Sequence, residues 1–205
     1  MAGLSRLVVL ISGNGTNLQA ILDACRAGDL LAQVAGVISN KANAYGLVRA
    51  RRAGVPTVVL EKNEGQDRRQ YDAVLAEQVA AFAPDWIILA GWMRILTSDL
   101  LDQFPNRVIN LHPALPGTFP GTHAIERAYE AWQKGGTDRS GVMVHLVLDE
   151  GVDAGPTLAV DEILFEDGET LEAFERRVHA VEHRLLVETL KKVIAHPDVI
   201  ASMGR

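Results

Sequence analysis

A single cysteine, Cys25, stands among the 205 residues, so no intramolecular disulfide can form. It falls in a stretch of helical patterning, Leu18 to Arg26, where a packed, unreactive thiol is expected. Long apolar runs are missing too. Stretches such as Trp86 to Met93 are less than half of the roughly 20 residues a membrane helix needs. The opening Met1-Ala-Gly-Leu-Ser-Arg-Leu7 holds no apolar signal core with a small-residue cleavage site, so a soluble, cytoplasmic protein with no membrane partner is expected. Basic charge is in short supply: 20 Lys and Arg against 26 Asp and Glu leave a net charge of −6. That balance argues against a general nucleic-acid partner but leaves room for a local pocket that takes a small anion. Low-complexity linkers and internal repeats are absent. The remainder, 48% hydrophobic and 22% charged, is ordinary globular usage. Such a chain buries a core without disulfides or structural metal, and its length suits one domain.

Apolar runs alternate with amphipathic stretches along most of the chain. Leu7 to Ile11, Val34 to Ser39, Thr57 to Leu60, Trp86 to Ala90 and Val108 to Leu111 read as strands. Leu18 to Arg26, Tyr45 to Ala53, Tyr71 to Phe82 and Thr97 to Phe104 read as the helices between them, with Thr97 as an N-cap. Short connections and strands without polar alternation predict a parallel sheet covered by helices on both faces. The C-terminal part differs. His123 to Gln133 reads as a helix, Val142 to Leu148 and Thr157 to Ile163 as antiparallel strands, and Thr170 to Ile194 as one long amphipathic helix. The expected fold class is α/β, a Rossmann-like and mostly parallel twisted sheet flanked by helices, with an antiparallel C-terminal extension.

The first strand runs into Ser12-Gly-Asn-Gly-Thr-Asn17, which opens a helix. Glycines let the backbone approach an anion, and free amides at a helix start favour negative charge. A dinucleotide site wants a small residue where Leu18 stands and an acid where Ser39 and Asn40 stand. A P-loop wants Gly-Lys-Ser/Thr, which is absent. A single phosphate with Thr16 and Asn17 as extra donors, or a turn with no ligand, remain as readings.

Asn110 and His112 lie two apart in the fifth strand, so they project to one face near its C-terminal end. Open α/β sheets bind ligands at that end. An amide donor beside an imidazole suits a carbonyl that becomes tetrahedral; a polar strand end bonded to backbone has the same letters. Asp149-Glu-Gly-Val-Asp-Ala-Gly-Pro156 is a loop rich in carboxylates, either a solvated turn or a source of Asp153 for His112, whose pKa it would raise. His179-Ala-Val-Glu-His183 matches a short zinc-peptidase pattern. It lies in an apolar helix with no third ligand in view. His112, His123, His145 and Asp153 lack recognisable metal spacing. No metal is expected.

Taken together, the segments Val8 to Ile21, Ile38 to Gly46, Leu89 to Leu96, Ile109 to Pro113 and Asp149 to Pro156 carry a resemblance. In order and without large gaps over residues 6 to 190, the chain resembles the folate-dependent phosphoribosylglycinamide formyltransferases of purine synthesis. The Asn-x-His and Asp-x-Gly-Pro pieces are shared by the formyltetrahydrofolate-using transferases of this fold; the Ser-Gly-Asn-Gly-Thr-Asn loop narrows the acceptor. The resemblance implies transfer of a formyl group from the co-substrate 10-formyltetrahydrofolate to the amine of 5-phosphoribosylglycinamide. It implies Asn110 as donor to the formyl oxygen, His112 as proton donor and Asp153 as the residue that raises the histidine's pKa. Gly15, Thr16, Asn17 and Glu182 would bind the ribonucleotide. Arg68, Met93, Arg94, Ile95, Leu96 and Asn110 would bind the folate. One formyltransferase domain over 1–205 is implied, with a phosphate-binding half (1–105) and a catalytic and folate-binding half (106–205), as a monomer or homodimer. Ala114-Leu-Pro-Gly117 stands where the family often has Ser-Leu-Leu-Pro, and Val160 where it often has Gln. A deformylase using water, a methionyl-tRNA formyltransferase and an idle binder of a phosphorylated metabolite are the alternatives. The first two usually carry an extra N-terminal or C-terminal domain.

Overall fold

A computed structural model describes residues 3–197. Seven strands form one sheet in the order β3-β2-β1-β4-β5-β6-β7. They are β1 (Ser5–Ile11), β2 (Ala32–Ser39), β3 (Thr57–Val59), β4 (Trp86–Leu89), β5 (Val108–His112), β6 (Arg139–Leu146) and β7 (Thr157–Leu164). The helices are α1 (Thr16–Ala27), α2 (Tyr45–Arg52), α3 (Arg68–Ala80), α4 (Ser98–Leu101), α5 (Ala124–Gln133) and α6 (Leu171–Ala195). The first five strands pair in parallel. β5 with β6, and β6 with β7, are antiparallel. The fold class expected from the sequence is the one observed. No helix among the described residues is long and apolar enough to cross a membrane.

The apolar run of β1 explains the layering. Successive residues of a strand face opposite sides. Leu7, Val9 and Ile11 enter one core cluster with Leu18 and Ile21 of α1 and Phe174, Val178 and Leu186 of α6. Val8 and Leu10 enter the other with Tyr71, Leu75 and Val79 of α3 and Leu100 of α4. A continuous apolar strand is thus buried on both faces.

Differences from the sequence reading have local causes. α3 starts at Arg68, three residues before the apolar pattern, because Asp67 and Gln70 form a reciprocal capping box. The helix expected over 97–104 is only the four residues of α4. Pro105 disfavours helical backbone at Phe104, and tighter i→i−3 bonds, such as Phe104 N–H to Leu101 O at 3.1 Å, finish the segment. β6 begins at Arg139 rather than Val142, because Arg139 and Ser140 pair with Leu164 and Ile163 of the edge strand.

Strand order reverses between β1 and β4. The loops leaving these two strands flank the crevice where α/β sheets bind ligands. They are tied together there: Ser12 N–H donates to Gly91 O at 3.0 Å, and Met93 N–H to Ser12 Oγ at 2.8 Å.

Candidate active site

β5 carries Asn110 and His112 on one face, while Leu111 between them points into the α1/α6 core. Asp153 comes from the β6–β7 loop, with its backbone at φ 52. This left-handed conformation is uncommon outside glycine and is one that Asp tolerates. Gly155, two residues on, has no room for a side chain: a Cβ there would collide with the Leu146 carbonyl. The loop is therefore pressed against β6, and the carboxylate faces β5.

The three side chains meet. His112 Nδ1 lies 3.3 Å from Asp153 Oδ2. Asn110 Nδ2 donates to Asp153 Oδ1 at 3.0 Å. Gly121 N–H donates to Asp153 Oδ2 at 2.8 Å. His112 Nε2 is bonded to the Phe119 carbonyl at 3.1 Å. In the sequence His145 stands only among the metal-ligand candidates, and the structure makes it the fourth member. It pairs with Asn110 across the β5–β6 ladder. Its Nδ1 donates to Leu146 O at 2.9 Å, which leaves Nε2 to accept from Asn110 Nδ2 at 3.0 Å. Both amide hydrogens of Asn110 thus have protein acceptors.

Burial sets the electrostatics. His112 is only 5% exposed. Desolvation holds its imidazole below the usual histidine value, while the Asp153 charge and the Phe119 carbonyl act in the opposite direction. Asp153 therefore pulls upward, as the sequence reading has it, but the net shift of His112 is downward. Burial pushes the Asp153 carboxyl up as well; the neighbouring His145 and His112 imidazoles and the Gly121 N–H bond outweigh it and leave the group below its usual value.

The glycine loop lies at the start of α1. Gly15, the N-cap residue, has φ 74, and a Cβ there would come within 2.6 Å of Gly46 Cα. Only glycine fits this approach of loop and α2. The Arg49 side chain reaches back from α2, with Nε donating to Asn14 O at 2.9 Å and Nη2 to Asn14 Oδ1 at 3.0 Å. A cation thus stands beside the amides of Gly15 to Asn17. Glu182, buried on α6, accepts from His179 Nδ1 at 2.6 Å. Burial holds the imidazole of the next residue, His183, below its usual value, and the Arg49 charge acts in the same direction. Among the described residues, no group of three or more His, Cys, Asp or Glu is placed to hold a metal ion.

The segment after β4 divides its residues. Met93 and Ile95 are exposed apolar side chains, whereas Leu96 is buried in the α3/α4 core. Arg94 stacks its guanidinium 4.1 Å above the Tyr71 ring. Buried Asp72 holds the far end of the segment, accepting Thr97 N–H at 2.6 Å. The expected N-cap position of Thr97 is the one observed, but its side chain does not cap α4. Arg68, at the start of α3, pairs with Glu150 of the Asp153 loop, and Glu150 also accepts Ser98 N–H at 3.4 Å. Arg68, the 93–98 segment and the 149–156 loop are thereby brought to one place. Cys25 is half-buried, its thiol pushed up to about 11 by burial, as an inert packing role requires.

A family model described as formyl transferase matches residues 5–190. The chain belongs to the formyl transferase family. Similar members include the phosphoribosylglycinamide formyltransferases of Schizosaccharomyces pombe and Escherichia coli. The first is 46% identical over 200 residues, covering 92% of this chain and 96% of that protein. The second is 40% identical over 179 residues, covering 87% and 82%. Among solved structures, glycinamide ribonucleotide transformylase 1 from Symbiobacterium toebii superposes with a TM-score of 0.88 at 42% identity, over 95% of this chain and 90% of that one. The phosphoribosylglycinamide formyltransferase of Bacillus halodurans gives 0.87 at 34%, over 94% and 97%. Formyl transferase membership gives the Asn110–His112–Asp153 cluster its chemical context: it stands at the strand end where this fold binds ligands.

Proposed function

We propose that this formyl transferase moves the formyl group of 10-formyltetrahydrofolate to the amine of 5-phosphoribosylglycinamide, in the cytoplasmic synthesis of purines. The observation that carries the reading is the convergence of Asn110, His112 and Asp153 within hydrogen-bond and ion-pair distance at the C-terminal end of β5. The Schizosaccharomyces pombe and Escherichia coli relatives, 46% and 40% identical over most of their length, carry the name of this reaction.

The residues divide the work. Amides of Gly15, Thr16 and Asn17 meet the ribonucleotide phosphate, and the Arg49 cation favours the anion there. Glu182 accepts from the ribose hydroxyls. Met93 and Ile95 offer apolar contact to the folate ring beside the backbone of Arg94 and Leu96, and Arg68 faces its anionic end. On this reading Met93 to Leu96 would contribute to the folate site from the 1–105 half of the proposed single domain, alongside the phosphate-binding loop.

In the reaction the amine nitrogen bonds to the formyl carbon and the oxygen gains negative charge. Asn110 gives that oxygen one of the N–H groups it now directs at Asp153 and His145. Protonated His112 donates as well, and Asp153 stabilises the imidazolium. The bond from carbon to the folate nitrogen then breaks, and the proton lost by the amine ends on that nitrogen. These steps use no metal, and a chelator leaves the rate unchanged.

Ligand-induced stabilisation tests the acceptor. The ribonucleotide alone, at 100 times its Kd, raises stability by about 2.7 kcal/mol and shifts Tm upward. An unshifted Tm at millimolar ribonucleotide contradicts the acceptor assignment.

A further inference from the structure

The loop between β5 and α5 places a backbone carbonyl on the central histidine. Phe119 adopts φ 45, a conformation that bulky residues rarely take. Its carbonyl oxygen has two donors, His112 Nε2 at 3.1 Å and Arg127 Nη2 at 2.7 Å. The same Arg127 nitrogen also binds Pro120 O at 2.6 Å, and Nε reaches His123 O at 3.4 Å. Successive carbonyls that converge on one point repel each other, so a cation between them holds this backbone in place. Arg127 itself is fixed by α5, whose neighbouring Ala124 and Ala128 are buried.

We propose that Arg127 is a positioning residue for the central histidine, acting through the Phe119 carbonyl that it pins. The proposal rests on the reading of His112 as the proton donor. Both ring nitrogens of His112 face acceptors, Asp153 Oδ2 at Nδ1 and Phe119 O at Nε2. A neutral imidazole donates to one of them; only the imidazolium donates to both. The pinned carbonyl therefore fixes the ring plane and favours the protonated form in a buried setting that otherwise opposes it. The ring is thus already aimed when substrate arrives. No letter of the sequence marks a carbonyl, so nothing there sets Arg127 apart from the other arginines.

Charge and position act on His112 in opposite directions, which makes the role separable. The charged and titratable groups facing the ring are Asp153 from the β6–β7 loop, His145 from β6 and Arg127 from α5. The Arg127 cation alone disfavours a second positive charge on His112. The Phe119 carbonyl favours it, and with the larger effect. Removing the guanidinium lowers the His112 pKa if Arg127 positions the carbonyl, and raises it if Arg127 acts only as a charge.

The experiment is Arg127→Met, with the His112 titration followed by NMR without substrate and steady-state kinetics measured alongside. The expected result is a lower His112 pKa, a fall in kcat of at least about tenfold, and both KM values within about twofold of the parent. An unchanged or raised His112 pKa overturns the proposal, as does an unchanged kcat. A purely structural arginine would lower Tm and leave the titration where it was. If Arg127→Met does not fold, Arg127→Lys, which keeps the charge and loses the fork, is read by the same criteria. The titration needs no substrate, so it judges the clamp even if the formyl acceptor proves to be a different one.

Discussion

Asn110 donates its side-chain N–H to Asp153 across 3.0 Å, joining the strand that bears the proposed catalytic pair to the loop that bears the acid. Asn110 and His112 therefore have one carboxylate in common, and each is oriented by it. The amide proposed to stabilise an oxyanion is thus held at the end of β5 before substrate binds, and it exchanges one of its two protein acceptors for that oxygen. A donor already fixed in place keeps most of the reorganisation out of the reaction step.

Asn110→Ala and His112→Ala each lose at least about 100-fold in kcat, in line with the loss of an oxyanion donor or a general acid. Circular dichroism and Tm establish that the variants fold. Turnover within about threefold of the parent in either variant removes that residue from the mechanism.

Asp153→Asn lowers the His112 pKa further. Burial already holds the ring below its usual value, and the substitution removes the carboxylate that opposes burial. An NMR titration of His112 in both proteins measures the difference. An identical pKa in the two refutes the coupling.

Acidification destabilises the fold through His112 and His183, both of which have depressed values in the folded protein. For such a group the unfolded chain binds the proton more readily. Its contribution is fully present above the ordinary histidine value of 6.5 and is lost as pH falls from there through the folded value. His179, raised by its bond to Glu182, acts in reverse: its contribution is present below 6.5 and lost as pH rises through its folded value. Urea melts of the parent and of His183→Gln across this range separate the terms; the variant shows the shallower acid slope. An equal slope in the two contradicts the assignment of His183.

Asp72 separates acceptor from charge at the far end of the proposed folate segment. Its carboxyl is pushed up by burial, which outweighs its bond to Thr97 and the nearby arginines. Asp72→Asn keeps an oxygen for Thr97 N–H and removes the buried charge, so stability holds or rises. Asp72→Ala leaves that N–H without a partner, costs about 1–3 kcal/mol, and raises the folate KM more than the ribonucleotide KM. Equal stability of the two variants in denaturant melts would show that the hydrogen bond contributes nothing.

Much of this architecture is legible in the sequence. Period-two spacing places Asn110 and His112 on one face, and unbroken apolar runs announce strands covered on both sides. The Gly13-Asn-Gly15 turn marks the opening of α1. What is missed depends on register and on backbone. His145 joins the site because β5 and β6 pair with Asn110 opposite it, a register that a lone histidine in an apolar strand does not reveal. Phe119 and Gly121 contribute a carbonyl and an N–H, which every residue type possesses. Asp72 looks like one more charge in an amphipathic helix until the 93–97 segment folds over it.

The most direct test mixes the purified protein with 10-formyltetrahydrofolate and follows loss of the formyl group by absorbance, with and without 5-phosphoribosylglycinamide. The account predicts tetrahydrofolate only when the ribonucleotide is present, with one formylated ribonucleotide formed for each folate consumed. Tetrahydrofolate and formate appearing at the same rate without the ribonucleotide would make water the acceptor and contradict the account.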